Sequence, residues 1–116
     1  MTSYILDVIS VSPLTKNKPR QAIVLCHGYG GDGKDISTLA VNWQRFLPDA
    51  IFLCPNAPEV CADNPGGYQW FDMTSENEEM MLEKSLAAAE KLNTFLDQVV
   101  KNFQLESSNL ALVGFS

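Results

Sequence analysis

Apolar residues follow two rhythms along this chain. Three runs are continuously apolar: AIVLC (22–26), with Gly on its far side, AIFLC (50–54), ended by Pro55, and LALVG (110–114). Such runs predict strands buried on both faces. YILDVISV (4–11) reads as a further strand, and Pro13 to Pro19 as a loop. Elsewhere Ile36, Leu39, Ala40, Trp43, Phe46 and Leu47 recur every three or four residues, which predicts an amphipathic helix. Asp32 or Asp35 is placed to cap it and Pro48 to stop it. A longer stripe of Leu82, Leu86, Ala89, Leu92, Leu96, Val99 and Phe103 predicts a second helix. Ser75 and Glu78 have capping-box spacing at its start, a cap alone contributing about 1 kcal/mol. Glu76, Glu78, Glu79 and Glu83 favour that same end through the helix dipole. The stripe's spacing also suits a coiled coil, although beside buried strands a packed amphipathic helix is the simpler reading.

Strands alternating with helices predict an α/β fold, a mostly parallel sheet with helices on its faces. In such sheets chemistry gathers beyond the carboxyl ends of the strands. Those places are 27–35, 55–75 and the residues after Gly114. Residues 55–75, rich in Pro, Asn and Gly, read as a long loop of the functional kind.

With 116 residues there is room for a single domain. Hydrophobic content of 46% with 19% charged residues describes a folded protein rather than a disordered one. A net charge of −6 argues against nucleic-acid binding and against an anionic membrane surface. The N-terminus lacks a basic start followed by a long apolar stretch, and no run approaches membrane-spanning length. Cys26, Cys54 and Cys61 lack CxxC spacing, so neither a metal site nor a disulfide framework is expected. A reduced, cytoplasmic setting is the expectation.

HGYGGDGKD (27–35) admits three chemical readings. Gly28 with Gly33-Lys34 is spaced like a phosphate loop, but Asp35 stands where that loop uses Ser or Thr to hold magnesium. Gly28, Gly30 and Gly33 spell the dinucleotide fingerprint, but the next strand ends in Cys54-Pro55-Asn56 without the ribose-binding acid. His27-Gly28 after an apolar run also fits the oxyanion turn of a serine hydrolase. Gly114-Phe115-Ser116 bears on the choice, being the first three residues of G-x-S-x-G, the nucleophile elbow.

On four segments the chain resembles the phospholipase/carboxylesterase family of α/β-hydrolases, bacterial relatives of acyl-protein thioesterases. They are AIVLCHGYGGDGKD (22–35), LPDAIFLCPNAPE (47–59), NPGGYQWFDM (64–73) and LALVGFS (110–116). The resemblance runs from about Tyr4 to Ser116 and covers roughly the first half of the family's domain. It implies residues 1–116 as one partial α/β-hydrolase domain, cut at the nucleophile elbow. It further implies a serine hydrolase of carboxylic esters, thioesters or lysophospholipids, with no metal or organic cofactor. Ser116 matches the nucleophile, and Tyr29 the position whose N–H forms one side of the oxyanion hole. Trp70 falls in a segment bordering the active site, as a substrate contact or a buried loop anchor. His27, the sole histidine, matches a structural position rather than the base.

The triad order in α/β-hydrolases is Ser, then acid, then His. Both partners of Ser116, and the second oxyanion donor, would follow it. The chain alone is therefore expected to lack esterase activity. With LALVG left as an open apolar edge, it is also expected to be marginally stable or insoluble. A complementary C-terminal half is the implied partner. The alternative is a non-catalytic remnant or interaction fragment.

Overall fold

A computed structural model describes residues 3–74 and 77–115. Its sheet is built from the apolar runs. Strands β2 (Gln21–Cys26) and β3 (Ala50–Pro55) lie parallel at its centre, and β6 (Leu110–Gly114) pairs parallel with the other side of β2. Strand β1 (Val8–Val11) closes the β3 side antiparallel, so the order is β1-β3-β2-β6. The sheet is parallel apart from β1, as expected of an α/β fold.

Alternation along the strands feeds two cores. Ile23, Leu25, Phe52 and Cys54 face helix α1 (Gly33–Trp43), which contributes Ile36 and Ala40. Ala22, Val24, Cys26, Ile51 and Leu53 face helix α2 (Glu78–Phe103), which contributes Phe95 and Val99. Asp32 is the α1 cap, its Oδ1 accepting the Asp35 N–H at 2.7 Å.

Several elements differ from the sequence expectation. The first strand occupies only 8–11 of the expected 4–11, although Leu6 is buried and Tyr4 packs on Phe95. Helix α1 ends at Trp43, before Pro48, because the chain turns through 44–47 to enter β3, leaving Phe46 exposed. At the start of α2 the cap shown is Asn77, whose Oδ1 accepts from Glu79 and Met80; Ser75 and Glu76 lie outside the described residues. The α2 stripe holds only toward its C-terminal end. Leu82 and Leu86 are 60% and 61% exposed, and the buried face there is Ala88. Residues 55–75 are not structureless: β4 (Glu59–Val60) and β5 (Tyr68–Gln69) form a short hairpin. Strand β6, whose composition reads as a strand buried on both faces, is the outer strand, the open apolar edge expected of LALVG in this chain, with Leu112 50% exposed. Among the described residues, no helix is long and apolar enough to cross a membrane.

Candidate active site

The carboxyl ends of β2, β3 and β6 point the same way, so the turn after Cys26, the 55–70 loop and the end of β6 meet at one rim. The ladder extends one residue past β6, where the Phe115 N–H donates to the Cys26 carbonyl at 3.1 Å. The next residue, Ser116, lies outside the described residues.

The 27–33 turn is gripped by the 55–70 loop. Gly30 donates its N–H to the Tyr68 carbonyl at 2.9 Å, and Tyr68 donates back to the Gly31 carbonyl at 2.8 Å. Asn64 Nδ2 donates to the Gly30 carbonyl at 2.8 Å. Gly30 has φ +82°, a conformation that glycine adopts cheaply. Gly67 is glycine for space, since a Cβ there would collide with the Gly30 carbonyl. The Gly33 N–H donates to Asn56 Oδ1 at 2.7 Å, and the Gly31 N–H to the Gly28 carbonyl at 3.0 Å. Three glycine amides that a phosphate or dinucleotide site would offer to its ligand are thus already bound. The phosphate-binding readings of this loop fail on that ground.

His27 is buried, and both ring nitrogens are engaged. Nε2 lies 3.0 Å from the Ala57 N, and Nδ1 lies 2.7 Å from the Gly28 carbonyl oxygen. Trp70 stacks on this ring at 5.6 Å, and its Nε1–H donates to the His27 carbonyl at 2.9 Å. The sequence left Trp70 between substrate contact and anchor; its indole N–H is an anchor here. The ring also lines a cavity of about 520 Å³, with Cys26, His27, Tyr29, Leu92 and Leu112 among its walls. The Tyr29 hydroxyl donates to Asp63 Oδ2 at 2.8 Å. That bond, then one with Cys61, raises the phenol pKa. Among the described residues, the Tyr29 backbone N–H has no hydrogen-bond acceptor. Asp72 is spoken for: the Thr74 hydroxyl and N–H, at 2.6 and 2.9 Å, hold its carboxyl below its ordinary pKa, helped by Lys84.

Residues 9–116 match the phospholipase/carboxylesterase family. The chain belongs to that family. Its fold is similar to that of esterase PE8, with TM-score 0.87 and 34% identity over 95% of this chain and 52% of that one. The Bacillus cereus carboxylesterase shares the fold, with TM-score 0.71 and 20% identity over 96% of this chain and 48% of the other. The Zea mays acyl-protein thioesterase 2 has TM-score 0.54 and 27% identity over 95% and 46%. The chain spans about half the length of these structures. The family resemblance read from the sequence is borne out. What that reading missed is the holding set of Asn56, Ala57, Asn64 and Gly67. Its signal was the clustering of Pro, Asn and Gly in 55–67.

Proposed function

We propose that this chain carries the nucleophile strand and oxyanion turn of a serine hydrolase of carboxylic esters or thioesters, small-molecule or lipid-acyl. Ser116 attacks the acyl carbonyl, and the acyl-Ser intermediate is later hydrolysed by water. The Tyr29 N–H stabilises the oxyanion, one such donor contributing about 3 kcal/mol at the transition state. Trp70 presents its ring to the acyl portion while its N–H stays on His27. The single observation that carries this reading is the parallel pairing of β2 with β6, continued by the Phe115–Cys26 bond. It sets the residue before Ser116 beside the strand that leads into a turn whose Tyr29 N–H has no acceptor among the described residues.

These residues do not supply a general base. The one histidine is His27, and neither of its nitrogens is open to a serine hydroxyl. The acid and base of the triad belong, on this reading, to a complementary C-terminal half, and the isolated chain is inactive. The competing reading, a non-catalytic interaction fragment, draws on the open β6 face.

The test is hydrolysis of a short-chain nitrophenyl ester by residues 1–116 alone, and by the same residues joined to the second half of esterase PE8. No turnover by the first and Ser116-dependent turnover by the second is expected. Turnover by the chain alone, abolished by Ser116→Ala, overturns the stated inactivity. Turnover by the joined protein that survives Ser116→Ala removes Ser116 as nucleophile. A folded, joined protein without turnover favours the interaction fragment.

A further inference from the structure

We infer that His27 is a positioning residue whose tautomer sets the direction of the Tyr29 N–H. The inference rests on the oxyanion role proposed for Tyr29, and goes beyond it by naming what aims that amide.

The tautomer follows from the two partners. A backbone N–H can only donate, so the Ala57 amide at 3.0 Å requires Nε2 to be the bare, accepting nitrogen. A carbonyl can only accept, so the Gly28 oxygen at 2.7 Å requires the proton on Nδ1. The Ala57 contact requires the neutral ring, and the Gly28 contact places its one proton on Nδ1. The Gly28 oxygen receives a second donor, the Gly31 N–H at 3.0 Å, which occupies its other lone pair. That carbonyl belongs to the Gly28–Tyr29 peptide, which is planar and trans, with C=O and N–H in opposite directions. Two donors fixed at the carbonyl edge of that plane therefore turn the Tyr29 N–H toward the opposite edge. There it has no acceptor among the described residues.

The preceding peptide is pinned too. Trp70 Nε1–H holds the His27 carbonyl, and the indole lies against the imidazole, so ring and main chain cannot rotate separately. A buried histidine that merely filled space would need neither a defined tautomer nor a bond to the carbonyl next in sequence. In this turn the order of cause runs from the Ala57 amide through the imidazole to Gly28, and from Gly28 to Tyr29.

The experiment uses the ¹⁵N-labelled chain carrying Ala111→Lys, which charges the open β6 edge well away from the turn. Its first readout is the long-range spectrum of the His27 ring at mildly alkaline pH. A protonated Nδ1 with bare Nε2 is expected, and the opposite tautomer overturns the inference. The second readout is the residual dipolar coupling of the Tyr29 N–H, which reports its direction. His27→Asn keeps a donor near the Nδ1 position and is expected to leave that coupling within error. His27→Gln reaches Ala57 with its carbonyl but offers Gly28 no donor, so the Tyr29 coupling is expected to shift beyond error while those of 21–26 hold. An unshifted Tyr29 coupling in folded His27→Gln overturns the inference; if that variant unfolds, the wild-type tautomer and the Asn variant decide. None of these readouts involves turnover. An idle Ser116 would thus leave the His27 result standing, and a wrong tautomer would leave the Ser116 test untouched.

Discussion

Strand β2 has a closed neighbourhood on one side and an open one on the other. Toward β3 every residue of the neighbouring strand is buried, β1 covers the outer flank, and the 55–70 loop closes the rim with hydrogen bonds. Toward β6 the outer strand exposes Ala111 and Leu112, and α2 exposes Leu82 and Leu86. Helix α2 buries Phe95 and Val99 while Met80, Leu82 and Leu86 nearer its start are exposed. The closed side satisfies its polar groups from within. The open side carries apolar surface that only another segment would remove from water, and an uncharged outer strand with nothing to deter pairing. Stability is therefore expected to be unequal across the sheet, and substitution can measure the inequality.

The largest effect is expected at Phe95. It is fully buried, packs on Tyr4 at 5.3 Å between centroids, and sits in the core that joins α2 to β2 and β3. Phe95→Ala is expected to cost about 3–5 kcal/mol, from lost transfer energy and the cavity left behind. Urea unfolding of a solubilised chain measures it. A cost near zero would mean that α2 is not docked in the isolated chain, and that the closed side depends on the open one.

Next comes alkaline pH. Burial pushes the Cys26 thiol up to about 11 from 9.0, with a further push from Cys54, and burial alone raises Cys54 to about 11. The unfolded chain ionises these thiols first, so high pH favours unfolding. Their contribution is intact below pH 9.0 and is lost as pH rises toward about 11. The decline is at most about 1.4 kcal/mol per pH unit for a single thiol, reached only between those two values. Cys26→Ala and Cys54→Ala should each flatten the alkaline limb of stability against pH. A limb unchanged in both would show that the thiols are already accessible.

A smaller loss is expected at Gly67. A Cβ there meets the Gly30 carbonyl, which is backbone and yields little. Gly67→Ala is expected to cost about 1–3 kcal/mol, in the range for forced overpacking. It should also speed amide exchange at Gly30 and Tyr68, whose bonds hold the turn. Exchange as slow as in the unsubstituted chain would show that the grip does not depend on this close approach.

How much of this was legible in the sequence divides along the same line. β2 and β3 could be read because their apolar runs are continuous and truly buried, so local composition and tertiary setting agree. For β6 they disagree. LALVG has the composition of an interior strand but an edge position here, and composition reports only what a segment is suited to. The same reason misplaced the α2 stripe: Leu82 and Leu86 continue the apolar period yet are exposed among the described residues. His27 and Gly28 marked the turn, yet Asn56, Ala57, Asn64 and Gly67 could not be assigned from spacing. Their roles depend on two loops, about thirty residues apart, touching face to face. The cap of α2 illustrates a finer limit. Ser75 and Asn77 are both good capping residues, and only coordinates show Asn77 accepting from two amides.

The smallest effect sharpens the comparison most. Leu86 is 61% exposed, so Leu86→Ala in the isolated chain removes little buried surface. Its expected cost is about 0.5 kcal/mol or less, as for ordinary surface positions. Joining residues 1–116 to the second half of esterase PE8 changes the expectation. If a following segment covers this face of α2, the same substitution then costs about 2 kcal/mol or more, as a core leucine does. The difference between the two urea measurements reads the covering directly, with no appeal to catalysis. An equal, small cost in both would mean that this face stays in water even in a whole hydrolase. The bareness of Leu86 would then be a property of the helix itself rather than of an unmet partner.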